Sequence, residues 1–226
     1  MPNIPSFHNF SAGHLEVIAG PMFSGKTEEL IRRVRRAQIA RVKVQVFRHA
    51  MDTRYDDSDV VSHSAQSLSA TPIKSAIEIF QKLYDSTRIV AIDEVQFLGE
   101  DIIPVVKKLT CRGYRVICAG LDLDYRGIPF GPMPILLALA DEIVKVHAIC
   151  TICGGIATRT QRLIESEAQV VVGAKESYAA RCRAHHDYNP AEEDLLPHKD
   201  ELSDIYSLLP PKVSSLRSSR EGEQAH

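Results

Sequence analysis

The chain has 226 residues, 44% apolar and 25% charged, and its formal charge of −2 excludes a bulk nucleic-acid-binding or anionic-membrane surface. That length builds one ordinary domain with a small appendage. The first fourteen residues, MPNIPSFHNFSAGH, lack a continuous apolar run, so a cytoplasmic protein is expected, its five cysteines serving as metal ligands or buried thiols.

The elements follow in chain order. LEVIAG at 15–20 predicts a strand, and Leu30, Ile31, Val34 and Ile39 recur at helical spacing within 26–39. The basic run RRVRR at 32–36 reads as the solvated face of that helix. VKVQVF at 42–47 alternates with period two, a second strand, and 48–72 is a polar, turn-prone loop. IKSAIEIFQKLYD at 73–85 predicts a helix; RIVAIDE at 88–94 predicts a strand buried on both faces. EDIIPVVKKLTCRG at 100–113 is helical, with Pro104 marking its start or a kink, and YRVICAGLD at 114–122 is a fourth strand. Cys111 and Cys118, on these elements, are expected in the core. PILLALA at 134–140 is too short to span a bilayer and runs into Asp141 and Glu142.

Strands separated by helices predict an α/β fold, a parallel P-loop sheet flanked by helices with right-handed crossovers, over 13–147. A small zinc-stapled second domain is expected at 148–188, where the strands shorten and cysteines gather. Beyond it, 189–226 is a polar tail, with a short helix at DELSDIYSLL and disorder after it.

GPMFSGKT at 20–27 has the spacing of a nucleotide-phosphate cradle. Gly20 and Gly25 let the backbone approach the phosphates, Lys26 supplies a cation near the β and γ groups, and the Thr27 hydroxyl ligates magnesium. Pro21, Met22, Phe23 and Ser24 complete the loop, and the helix that follows adds its positive end. The apolar strand ending in Asp93 delivers a carboxylate for the magnesium shell. Glu94, next along, can take a proton from whichever nucleophile attacks the γ-phosphorus. Water there makes an ATPase and an alcohol makes a kinase; the Asp-Glu pair does not decide. Arg54, in MDTRYDD, is a candidate for neutralising charge on the migrating group.

CTIC at 150–153 and CRAH at 182–185 are Cys-x2-Cys and Cys-x2-His half-sites. Together Cys150, Cys153, Cys182 and His185 make a tetrahedral zinc site with no open position, hence structural. His186 is an alternative fourth ligand that the spacing disfavours. The excursion 154–181, pinned at both ends by one metal, is suited to close over a small ligand, read a base edge through its backbone and exclude water.

GPMFSGKT, DTRY, DEVQF, LDLDYRGIPFG, CTIC and VVVGAKESYAARCRAH, in that order, resemble thymidine kinase of the second type, the cytosolic, zinc-bearing form, over about 13–186. The resemblance implies transfer of the γ-phosphoryl group of ATP to the 5′-hydroxyl of thymidine, a step of nucleotide salvage. It implies Glu94 as base for that hydroxyl, and Asp93, Val95 and Gln96 in the magnesium and phosphate neighbourhood. Asp52, Thr53 and Arg54 fall where the family contacts the phosphates. Met22, Phe97, Leu121 and Phe130 would line an apolar nucleoside pocket, with Tyr125 and Tyr178 also at the substrate. The backbone of Gln169, Val170, Val171, Val172 and Gly173 would pair with the pyrimidine edge, a lasso-like loop, with Thr160 near the 5-methyl group. The family's tetrameric assembly and feedback inhibition by thymidine triphosphate are implied likewise.

Two residues depart from the pattern. Histidine holds the last zinc position where some members carry cysteine, which the site tolerates. Asp124 of LDLDY is an additional acid that alters the pocket rim. Three other readings stay open: a P-loop ATPase or motor with a zinc knuckle, a non-enzymatic zinc-containing interaction protein, and a kinase for another deoxynucleoside, since an apolar pocket separates substrates differing by one methyl group by only about 1–3 kcal/mol.

Overall fold

The computed structural model describes residues 13–50, 59–61, 67–164 and 177–187. The expectations placed on Asp52, Thr53 and Arg54, on 169–173, and on the tail from 189 lie outside these residues.

Period-two burial builds the sheet. In β1 (His14–Ala19), Leu15, Val17 and Ala19 face one core and Ile18 the other. The same alternation splits β6 (Ile89–Asp93), where Val90 and Ile92 oppose Ile89 and Ala91, and β7 (Arg115–Gly120), where Val116 and Cys118 oppose Ile117 and Ala119. With both faces covered, such strands read as continuous apolar runs. Together with β2 (Val44–His49), β5 (Thr71–Ile73) and β8 (Glu142–Lys145) they form six strands in the order β5-β2-β6-β7-β1-β8, every pair parallel. Between β2 and β5 the backbone also makes a two-stranded antiparallel ribbon, β3 (Asp59–Val61) with β4 (Ser67–Ser69).

Helix α1 (Lys26–Ile39) covers one face through Leu30, Val34 and Ala37. It starts where Gly25 adopts φ +84°, and Glu28 and Glu29 in its first turn complement the helix dipole. On the other face lie α2 (Glu78–Lys82), α3 (Ile102–Cys111) and α4 (Met133–Leu139), anchored by Ile79, by Ile102, Val106 and Leu109, and by Met133 and Leu136. Pro104 sits in the first turn of α3, where its missing N–H has no intrahelical acceptor to lose. Each fully buried Ile or Leu contributes about 1.5–3 kcal/mol of apolar transfer.

Five details differ from expectation. The stretch 48–72, expected as a loop, holds the end of β2, the ribbon β3–β4 and the start of β5. The helix expected at 73–85 is confined to Glu78–Lys82, because Ile73 pairs in the sheet opposite His49. Strand β8 had no apolar run to announce it, being an edge strand mostly exposed. Cys111 is exposed at the end of α3 instead of in the core, while Cys118 is buried. Arg33, within the basic run, is buried. It pairs with Glu16, with Glu29 at 2.8 Å and with Glu142 at 2.8 Å. A solvated face therefore describes only its neighbours.

Beyond β8 come two short antiparallel pairs, β9 (Ala148–Ile149) with β10 (Ile156–Ala157) and β11 (Arg159–Arg162) with β12 (Tyr178–Arg181). Among the described residues no helix is long and apolar enough to cross a membrane.

Candidate active site

Parallel strands deliver their C-terminal ends to one edge of the sheet, where ligands of open α/β folds bind. The loop leaving β1 turns tightly there. A Cβ on Gly20 would come within 2.3 Å of the Val146 carbonyl oxygen, so no other residue fits without movement. Phe23 and Gly25 both have positive φ, at 64° and 84°, which curls successive backbone N–H groups into a nest. Lys26 is buried, its Nζ donating to the Pro21 carbonyl at 2.8 Å, and Ser24 Oγ donates to the same oxygen at 2.7 Å. The loop thus holds its own cation inward, at the head of α1.

Strand β7 separates β1 from β6, yet the phosphate loop and the β6 acid meet. Thr27 Oγ1 donates to Asp93 Oδ2 at 3.1 Å, and the Glu94 N–H donates to Asp93 Oδ1 at 3.0 Å. Burial pushes the Asp93 carboxyl up to about 7, and the charge of Glu94 adds to the shift; the bonds from Glu94 N–H and Thr27 and the charge of Lys26 oppose it. A buried carboxylate strained in its charged form, beside a hydroxyl, is an all-oxygen donor set that fits a hard cation such as magnesium.

Glu94 has left-handed backbone, φ 50° and ψ 42°, unusual for a residue with a side chain. Its Oε2 accepts a 2.6 Å hydrogen bond from the amide of Gln96, whose oxygen in turn accepts the Leu121 N–H at 3.1 Å. Gln96 is itself buried in the short 3₁₀ turn Val95–Leu98 that follows β6. Val95 points its side chain into the core.

Around this edge stand the residues expected to line a nucleoside pocket. Phe97 and Phe130 meet edge-on, centroids 5.8 Å apart. Met22, Leu121 and Tyr125 are half-buried and Tyr178 is buried. Thr160 is buried, and its hydroxyl accepts the Met22 N–H at 2.9 Å, tying β11 to the phosphate loop. Phe23, from the same loop, packs against the small core of Ala148, Cys150, Ala157 and Ala180.

Three residues take part here in roles that their motifs do not announce. Arg162 lies 3.5 Å over the ring of Tyr125 and donates to the Tyr178 hydroxyl at 3.2 Å, holding two aromatic residues together. His186 Nε2 lies 3.0 Å from the Tyr125 carbonyl oxygen. Asp124, the additional acid of LDLDY, organises its loop: its Oδ1 accepts from Arg126 N–H at 2.8 Å and Ile128 N–H at 3.0 Å. The signal for it was present, since Asp124 to Gly127 has Asp first and Gly fourth, the preference of a type I turn, and the Gly127 N–H bonds back to Asp124 O at 3.1 Å.

Nearby, Cys150, Cys153, Cys182 and His185 bring their ligand atoms within 4.8 Å of one another. Cys153 Sγ lies 3.8 Å from Cys182 Sγ, and His185 Nδ1 lies 3.1 Å from Cys182 Sγ and 3.8 Å from Cys150 Sγ. Most of these match the roughly 3.7 Å edge of a tetrahedron with about 2.3 Å metal–sulfur bonds. Burial raises the Cys150 thiol, but backbone N–H groups of Cys182, Cys153 and Ile152 outweigh it and bring the value down to about 6. Thiolate is the form that binds metal, so this cluster could hold zinc.

The family model for thymidine kinase matches residues 13–186. The chain belongs to the thymidine kinase family. It is therefore a kinase that phosphorylates thymidine, and its phosphate loop, β6 acids and Cys/His cluster all lie inside the matched segment. The motor and non-enzymatic readings fall with this match.

Proposed function

We propose that this thymidine kinase transfers the γ-phosphoryl group of ATP to the 5′-hydroxyl of thymidine, with Glu94 as general base. The observation that carries the reading is the meeting of Thr27, Asp93 and Glu94 at one edge of the sheet: the loop built for a triphosphate and an acid able to take a proton share a boundary.

On this reading N–H groups of the loop 20–27, apart from Pro21, which has none, and Met22, which donates to Thr160, hold the triphosphate with Lys26, and Lys26 exchanges its bond to Pro21 for the phosphates. Asp93 and Thr27 would hold a magnesium ion, which when bound neutralises phosphate charge. Glu94 takes the 5′-hydroxyl proton as the sugar oxygen attacks. The new O5′–phosphorus bond forms, the bond from phosphorus to the β–γ bridging oxygen breaks, and ADP leaves with that electron pair. The proton remains on Glu94 until solvent removes it. Arg54, with Asp52 and Thr53, completes the phosphate contacts, and the backbone of 169–173 reads the pyrimidine edge.

Cys150, Cys153, Cys182 and His185 would hold a structural zinc, four protein ligands leaving no position for catalysis. We treat 13–147 as the nucleotide-binding domain, 148–188 as the zinc domain and 189–226 as a polar tail. Cytoplasmic location, a salvage role, tetrameric assembly and feedback inhibition by thymidine triphosphate complete the proposal, on the strength of the family.

Incubation with γ-labelled ATP and a panel of nucleosides tests it. Label is expected in thymidine monophosphate, in step with ADP. ADP released without labelled nucleoside would overturn the transfer, and label favouring another nucleoside would overturn the acceptor.

A further inference from the structure

Gln96 is buried, and both ends of its amide are committed. The Leu121 N–H can only donate, so the amide oxygen faces it, at 3.1 Å. The NH₂ group therefore faces Glu94, 2.6 Å from Oε2. Gln96 thus spans the gap from the end of β7 to the acid that follows β6. The gap exists because β7 ends in Gly120: a Cβ there would lie 2.6 Å from Gln96 Oε1, 2.9 Å from Val95 Cγ1 and 3.0 Å from Met133 Sδ.

We propose that Gln96 is the positioning residue of the general base: by donating to Oε2 of Glu94 it holds the carboxylate in one orientation for taking the hydroxyl proton. The inference rests on Glu94 being the base. A carboxylate on two rotatable carbons loses rate when its orientation wanders, because a productive proton transfer needs heavy atoms within about 2.6–3.2 Å. The two-residue spacing from Glu94 to Gln96 works because Glu94 takes left-handed backbone and the chain then turns through the 3₁₀ segment, bringing residue 96 back over residue 94. A glutamine fits this place better than a lysine or arginine, since one amide supplies both the acceptor that Leu121 needs and the donor that Glu94 needs.

Gln96→Met keeps the length and removes both bonds; Gln96→Glu keeps an acceptor for Leu121 and sets a second carboxyl against Glu94 in place of the amide donor. Both are made alone and on Glu94→Gln, and kcat, the KM values for ATP and thymidine, and melting temperature are measured. The expected result is kcat down roughly 10–100-fold in either single variant, part of what a positioned acid–base group supplies, with both KM values within about twofold. On Glu94→Gln the further loss is expected to vanish, because there is no longer a base to orient. A melting temperature that falls with kcat unchanged, in whichever variant folds, overturns the proposal, as does full additivity with Glu94→Gln. If Glu94→Gln alone retains wild-type turnover, the reading of Glu94 has failed instead, and that arm separates the two.

Discussion

The hydroxyl of Thr160 accepts the backbone N–H of Met22 at 2.9 Å, joining a strand of the Cys/His lobe to the loop that opens α1, 138 residues earlier. A phosphate loop needs its N–H groups aimed, and here one of them is held by a distant side chain. The lobe is thereby a support for the phosphate cradle as well as a wall beside the aromatic residues.

Thr160→Val preserves shape and removes the acceptor. The Met22 N–H then loses its partner in a half-buried place, a cost of about 1–3 kcal/mol. Melting temperature is expected to fall and the KM for ATP to rise, while Thr160→Ser is expected to retain both. Equal behaviour of the Val and Ser variants in calorimetry and kinetics would contradict this.

The Cys/His cluster is expected to carry about one zinc per chain, and Cys153→Ser to release it with loss of the lobe's fold, because metal binding and local folding are coupled. Elemental analysis with circular dichroism checks both. Zinc retention in the parent protein is expected to weaken as pH falls, because protons compete with the metal for the three thiolates and the imidazole.

Glu16 predicts acid sensitivity of the fold. Burial raises its carboxyl, but hydrogen bonds and charges from Arg115 and Arg33 outweigh this and hold it below the ordinary value of 4.5. A depressed folded value adds stability that is fully present above the unfolded value and is lost as pH falls through the folded one. The melting temperature is therefore expected to drop as pH falls below about 4.5. Glu16→Gln is expected to flatten that drop, and to cost on the order of 3 kcal/mol at pH 7 by leaving the buried Arg33 and the half-buried Arg115 short of a carboxylate. The figure sits low in the usual range because Arg33 keeps Glu29 and Glu142.

Asp124→Asn is expected to be mild and Asp124→Ala severe. The asparagine oxygen can still accept from Arg126 and Ile128 N–H groups, whereas alanine leaves the turn beneath Tyr125 without its organiser. Thymidine KM for the two variants, with melting temperatures, distinguishes this role from that of a charge on the rim, which both substitutions would remove equally.

The parts legible in the sequence were those governed by local rules. The helix expected at 26–39 coincides with α1, since loop spacing, the Gly25 turn and helical periodicity all fall within a few residues. β1, β6 and β7 were legible as apolar runs, and the family resemblance is borne out by the match. What escaped depends on the partner. β8 is held by pairing with β1, with nothing apolar of its own to mark it. Arg33 looks like any surface arginine until Glu16, 17 positions earlier, is found beneath it. The resemblance puts Gln96 in the phosphate neighbourhood, but its bond to Glu94 requires a left-handed residue that no pattern marks.

The most direct test of the account is single-turnover transfer from ATP to thymidine by Glu94→Gln, alongside ATP affinity measured by titration. Near-normal ATP affinity is expected, with transfer slowed by roughly 10²–10⁴-fold, the usual effect of losing a positioned acid–base group. Transfer within a few-fold of the parent rate, with the fold intact, would contradict it.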